Sequence, residues 1–338
     1  MTQGMLLAES GRCGHIWKER DRKMTLFSNT TPCTYAMAPA HVAQYKREKV
    51  IVMLGISGII LNERRKDTPK ALSYANVTFG TEVARVLFAL SKDPANIEAI
   101  VVETHSPGGA VTGSQDLCYG FLACRHAGIP VFCYVPEWSA SGSVMATAGA
   151  TCIIMHPNAL VGSIGVRGQQ VVCYEHVTQL GDRNETVQAK RISSRVLYSG
   201  EHKVHDNPFA PEDVEYTKAT QAHLDKQYEK FIQHVSQLRG IDPDLLRQKG
   251  AMMFDADEAV ELGLVNLIGK KEPALNFILE KIESKKRWAD YRKVYMCESM
   301  RNTTPISTVS AEALNEMILN ELRTQTMLAI SPGWLKGF

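Results

Sequence analysis

From residue 49 onward, apolar positions alternate between two periods, short unbroken runs and runs spaced by three and four. "VIVMLGISGIIL" (50–61) is a continuous apolar stretch and predicts a buried strand followed by a Gly-containing turn. "TEVARVLFALSKDP" sets Val83, Val86, Leu87 and Leu90 on one helical face, with Pro94 closing the segment. "IEAIVVET" is again a mostly apolar run, as in a strand covered on both faces. "TGSQDLCYGFLACRHAG" returns to helical spacing through Leu117, Phe121, Leu122 and Cys124 and stops at Gly128. "IPVFCYV" predicts a strand, "SASGSVMATAGA" a helix of small residues, and "TCIIM" a strand. Strand, turn, helix and strand thus recur, the pattern of right-handed parallel crossovers in an α/β protein.

After "GSIGV" the pattern loosens through "GDRNETVQAKR", which predicts a loop. Leu224, Tyr228, Phe231, Val235 and Leu238 then mark a long helix ending at Gly240. Asp242 and Pro243 open a further helix that Gly250 closes, and Asp255 with Glu258 has capping-box spacing. Beyond Lys270 the pattern predicts a charged helix, a polar break at "NTTPISTVS" and a last helix from about Ala311. Residues 1–46 show no sustained period. The expected organisation is a flexible N-terminal arm (1–46), a main α/β domain (47–270) and a C-terminal helical extension (271–338).

Composition narrows the function classes. The 338 residues include 38 Lys and Arg against 36 Asp and Glu, so no charge footprint points to nucleic acid or an anionic membrane. Eight Cys lie scattered without a CxxC pair, which suggests reduced thiols and a cytoplasmic setting rather than a zinc site or disulfide framework. The longest apolar run is well short of the ~20 residues of a membrane span, so no span is expected.

Two strand-to-helix junctions carry the candidate chemistry, "HSPGGAVTG" and "WSASGSVMA". In an α/β repeat their helix N-termini can face one cleft, and helix N-termini offer unpaired N–H groups to an anion or a developing oxyanion. Gly108 and Gly109 allow close approach of a substrate to the backbone. Ser141, beside Gly142, is a hydroxyl next to such donors, the layout of acyl transfer. Ser139, Ser141 and Ser143 each equally suit an N-cap. His202 and His205 have a spacing compatible with metal, but no third ligand accompanies them. His105, near the first junction, is expected to pack or hydrogen-bond at the strand end.

"SPGGAVTGSQDL", "SASGSVMATAGA", "MHPNALVGSIGV", "LYSGEHKVHDNPFAPED" and "DADEAVELGLVNLIG" resemble, in this order, the signal peptide peptidase A family of the Clp protease/crotonase superfamily. The resemblance covers roughly residues 48–270, and "YSGEHKVHDNPF" is most similar to the family's prohead-protease branch in tailed phages. It implies a Clp protease/crotonase-like spiral of strand–turn–helix repeats and a serine endopeptidase with a Ser–Lys dyad and no cofactor. It selects Ser141 as nucleophile, the N–H groups of Gly109 and Gly142 as oxyanion donors, and Lys203 in "GEHKVHDNP" as base. Gly108 would line the substrate. Val204 follows the Lys where many cellular members carry Ser or Asp, whereas phage-type members tolerate Val there. A Lys acts as base only when neutral, and burial or neighbouring positive charge favours that form. Implied partners are a protein or peptide substrate, further copies in a homo-oligomer, and phage scaffold, portal or capsid proteins. The alternatives are a cellular peptide-degrading member of the family, an acyl-CoA enzyme of the crotonase type, which the serine in "SASG" disfavours, and an assembly protein without a working dyad.

Overall fold

The structure, a computed structural model, describes residues 6–7, 49–64, 77–94, 96–168, 179–180, 187–188, 199–200, 202, 212–284, 288 and 293–296. These fall into two compact units, residues 1–167 with 228–338, and residues 168–227. Along the chain the first unit begins with β1 (Leu6–Leu7), β2 (Val50–Leu61), β3 (Val77–Phe79), α1 (Gly80–Lys92), β4 (Ile97–Gly109) and α2 (Val111–His126). It continues through β5 (Val131–Val135), β6 (Trp138–Ala140), α3 (Gly142–Thr147), β7 (Cys152–Met155) and β8 (Leu160–Gly162). The second unit holds the antiparallel pair β9 (Gln179–Leu180) and β10 (Val187–Gln188). Helix α4 (Val214–Arg239) begins in the second unit and ends in the first. Then come α5 (Pro243–Lys249), β11 (Met253–Phe254), α6 (Ala256–Glu261), β12 (Leu267–Ile268), α7 (Lys271–Lys281) and β13 (Lys293–Met296).

The alternation of strand and helix is that of the expected α/β protein. Among the described residues the main sheet runs β1-β12-β7-β5-β4-β6-β8-β11, with β2 against β4 and both β3 and β13 against β2. Its central pairs are parallel, and the antiparallel ones, β1 with β12 and β8 with β11, lie at its two ends. Strand β4 is shared. Its first half pairs with β5 from Ile100 to Glu103, its second half meets β6 at Ser106–Ser139, and β2 runs beside both halves. This fork carries the end of β4 past the edge of β5 and brings it beside the segment that leads into α3.

Packing follows the apolar pattern. Val83, Val86, Leu87 and Leu90 of α1 and Leu117, Phe121 and Cys124 of α2 enter one core with β2, β4 and β5. Phe231, Ile232 and Val235 of α4 join it. Ala274, Ile278 and Leu279 of α7 pack on the other core, with Ile51, Val101 and Phe132. Asp242 caps α5 by accepting from Asp244 N–H, Gly250 follows its end, and Asp255 with Glu258 forms the expected capping box on α6.

Three local expectations are corrected. The strand read at "VIVMLGISGII" runs to Leu61 as β2, so the expected Gly-containing turn does not interrupt it. A register irregularity lies between Ser57 and Ile59, with Gly58 at φ 62°, and the Thr78 hydroxyl binds both Ser57 N–H and Ser57 C=O (3.0 Å each). The strand predicted at "IEAIVVET" likewise extends through "SPGG" to Gly109. The stretch after residue 271 supplies a strand, β13, as well as a helix, and β13 pairs in parallel with β2. Within residues 1–46, Leu6–Leu7 pair with Leu267–Ile268. The helix expected from Ala311 and the segments "GDRNETVQAKR" and "GEHKVHDNP" lie mostly or wholly outside the described residues. Cys118, Cys124, Cys133 and Cys152 are buried and form no disulfide among the described residues, and burial pushes the Cys118 and Cys124 thiols up to about 12. A thiol held protonated in this way is no nucleophile at neutral pH.

Candidate active site

The site grows from the end of β4. Gly108 has φ +96° and Gly109 φ +153°, backbone that a side chain rarely adopts. A Cβ built on Gly108 would lie 2.5 Å from Gly142 N, 2.8 Å from Ala140 O and 2.9 Å from Ser141 Cβ. The "SPGG" and "SASG" segments are therefore in direct backbone contact, and only a missing side chain permits it. Ser106 locks the first of them. Its hydroxyl donates to Gly58 O (2.6 Å) and accepts from Gly108 N–H (3.1 Å). The Gly108 N–H is thereby occupied within the protein, and the expected donor from this segment is its neighbour, Gly109.

Ser141 precedes α3 with φ 53° and ψ −119°, a strained conformation for a residue bearing a Cβ. Its N–H donates to Gly162 O (2.8 Å) and its C=O accepts from Met145 N–H (3.1 Å), so neighbouring structure pins the residue on both sides. Its hydroxyl is the exception. Although Ser141 occupies the N-cap position, it makes no side-chain cap bond. Its Oγ is buried, and no described residue hydrogen-bonds it. Ser139 and Ser143, the other two candidates, bond each other at 2.7 Å, and Ser143 also bonds Thr104 at 2.9 Å. Of the three serines, Ser141 alone keeps its hydroxyl uncommitted among the described residues. Ser141 is fully buried.

The structure brings Gly108, Ser141 and Gly142 together, with Gly109 next in the chain. Lys203 and His205 lie outside the described residues. The His105 ring stands edge-on to Trp138, 4.4 Å between centroids, with Nε2 3.4 Å from a Glu137 carboxylate oxygen, which is the packing role expected for it. His202 Nδ1 lies 2.6 Å from Asp213 Oδ2, and the same carboxylate caps α4 through Tyr216 N–H (3.0 Å). Among the described residues no group of three His, Cys, Asp or Glu is placed to hold a metal.

Sequence reasoning missed two supports of the site. The first is the set of buried hydroxyls, whose signal is Thr104 and Ser106 two positions apart on one face of β4. The second is His234, whose Nε2–H donates to Met145 O (3.1 Å) from α4 to α3. Burial lowers its pKa, and the bond to Met145 offsets part of that, so the neutral ring is favoured. Its signal is a lone His among Phe231, Ile232 and Val235.

Residues 123–284 match the model of Peptidase family S49. The match contains Ser141, Gly142 and Lys203, while Gly108 and Gly109 lie ahead of it. The chain is 22% identical over 282 residues to Capsid assembly protease C of Escherichia phage lambda, covering 83% of this chain and 60% of the relative. It is 22% identical over 193 residues to Head-tail preconnector protein GP5 of Enterobacteria phage P21, covering 57% of this chain and 36% of the relative. The chain thus spans less than two thirds of the length of both. Among solved structures, a ClpP1 mutant from Listeria monocytogenes is matched over 66% of this chain and 94% of its own, with 13% identity and a TM-score of 0.38. Among the described residues no helix is long and apolar enough to cross a membrane.

Proposed function

We propose that this chain, whose residues 123–284 match the model of Peptidase family S49, is a serine endopeptidase that works through a Ser141–Lys203 dyad on protein substrates of phage capsid assembly. The observation that carries the reading is the uncommitted, buried Ser141 hydroxyl, held at φ 53° against the backbone of Gly108. In the proposed reaction neutral Lys203 takes the hydroxyl proton as Ser141 Oγ attacks the scissile carbonyl carbon. The carbonyl oxygen becomes an oxyanion facing the N–H groups of Gly109 and Gly142. Collapse of the adduct breaks the C–N bond, and the lysine ammonium delivers its proton to the leaving amine. Water, deprotonated by the same lysine, then hydrolyses the acyl-enzyme and restores both groups. The assembly role rests on similarity to the lambda capsid assembly protease.

A serine-directed fluorophosphonate tests the activity, since only an activated serine reacts. One adduct per chain is expected, on the peptide containing Ser141. No adduct on the intact chain would favour the assembly protein without a working dyad.

The base is tested with variants. Lys203→Ala should slow both labelling and peptide cleavage by about 10²–10⁴-fold, the usual worth of general base catalysis. His105→Ala, His202→Ala and His205→Ala should each retain measurable activity. A dead histidine variant beside an active Lys203→Ala would replace the dyad with a Ser–His pair. Cleavage of a co-expressed phage scaffold protein, with unrelated unfolded proteins left intact, is the expected outcome for the assembly role. Equal cleavage of both would favour the peptide-degrading alternative.

A homo-oligomer of closed symmetry is expected, the usual state of assembling soluble chains. A monomer mass by light scattering at micromolar concentration would overturn that expectation.

A further inference from the structure

Thr104, Ser139 and Ser143 are buried, each at most 1% exposed, and they come from three elements, β4, β6 and α3. Their hydroxyls form a chain, Thr104 to Ser143 at 2.9 Å and Ser143 to Ser139 at 2.7 Å. Ser143 stands in the middle, and a hydroxyl there can donate to one neighbour while accepting from the other. Ser139 and Ser143 flank Ser141 by two residues on either side, so their mutual bond closes a bridge across it. Thr104 extends that bridge to β4, five residues before Gly109.

Two features give the bridge a task. The backbone pairing between β4 and β6 is the single Ser106–Ser139 pair, so the hydroxyl chain adds a second tie across a short joint. Ser141 is held at φ 53°, and such a conformation persists only where its surroundings over-determine it. Buried hydrogen-bond chains rigidify in this way, because a hydroxyl that loses its partner in a dry interior is not compensated by water.

We infer that Ser143, with Thr104 and Ser139, is a positioning residue that fixes the Ser141 hydroxyl and the Gly142 N–H relative to the end of β4. The inference rests on the serine peptidase reading. None of the three hydroxyls reacts. Their bonds hold constant the spacing between the two oxyanion donors, Gly109 on β4 and Gly142 on α3. The developing oxyanion depends on that spacing more than bound substrate does, so loss of the bridge falls on kcat.

The test uses the full chain with Ser143→Ala, Thr104→Val and Thr104→Ser, read by kcat and KM on a peptide ester, by the rate of fluorophosphonate labelling, and by thermal unfolding. Thr104→Val keeps the shape and loses the hydroxyl, whereas Thr104→Ser keeps the hydroxyl and loses a methyl. Ser143→Ala and Thr104→Val should each lower kcat and the labelling rate about tenfold or more, the scale of a small misplacement of reacting groups, with KM within about twofold. Thr104→Ser should stay within about threefold of wild type. The reverse order at position 104 would show that packing, not the hydroxyl, matters and would overturn the inference. Wild-type kcat in Ser143→Ala would do the same, and this smallest deletion decides the matter if Thr104→Val fails to fold. Failure of the wild-type chain to label at Ser141 would overturn the peptidase reading itself. Normal wild-type labelling with insensitive variants overturns only the positioning role.

Discussion

Ser141→Ala should abolish fluorophosphonate labelling and peptide cleavage while unfolding at a temperature equal to or above that of the wild-type chain. The loss of activity follows from removing the proposed nucleophile. The stability follows from the structure. A serine ahead of a helix ordinarily contributes about 1 kcal/mol as an N-cap, but Ser141 makes no cap bond and its buried Oγ has no partner among the described residues. A buried hydroxyl without a partner costs about 1–3 kcal/mol, and the packing lost with the oxygen offsets most of that, so its removal should be neutral or should stabilise by up to about 1 kcal/mol. That corresponds to at most about 2–4 °C in Tm for a unit of this size. Alanine keeps the positive φ, so the backbone strain is unchanged and does not enter the comparison. Circular dichroism melts beside a cleavage assay decide it. Retained cleavage would remove Ser141 from the nucleophile role, and a stability loss well above 1 kcal/mol would mean that Oγ is bonded in solution.

Gly108→Ala should damage fold and activity together. The residue sits at φ +96°, and the added Cβ would meet backbone atoms of Gly142 at 2.5 Å and Ala140 at 2.8 Å. Backbone cannot swing away as a side-chain tip does, so the β4 end and the start of α3 must separate. Strained backbone and overpacking each cost about 1–3 kcal/mol, and a summed loss of about 2–6 kcal/mol is expected. Separation of the two segments also misplaces the Gly142 N–H relative to Gly109, which should lower kcat by at least about 10²-fold. Urea unfolding and steady-state kinetics on a folded fraction measure the two effects separately. Wild-type stability and kcat in Gly108→Ala would show that the two segments do not touch.

Several elements were legible because their information is local. The helical face Val83, Val86, Leu87, Leu90 is buried as its spacing predicts, and Asp242, Gly250 and the Asp255–Glu258 box end their helices as capping chemistry requires. The junctions "SPGG" and "SASG" were legible as places where glycine and serine suit an oxyanion site. The path of β2 through Gly58 was not legible. Whether that glycine turns the chain or bulges a strand depends on partners, and here Thr78 supplies the hydrogen bonds that keep the strand going.

The choice among three serines marks the division most clearly. Sequence alone determined that Ser139, Ser141 and Ser143 stand at the start of a helix beside glycine, because side-chain spacing and helix-end chemistry are properties of neighbouring residues. Which hydroxyl stays uncommitted was decided by tertiary structure. Thr104 reaches Ser143 from a strand 39 positions earlier in the chain, and Gly108 fits against Ser141 because β4 forks between β5 and β6. A hydrogen-bond partner that arrives from a distant strand leaves no mark on the spacing around the serine it binds.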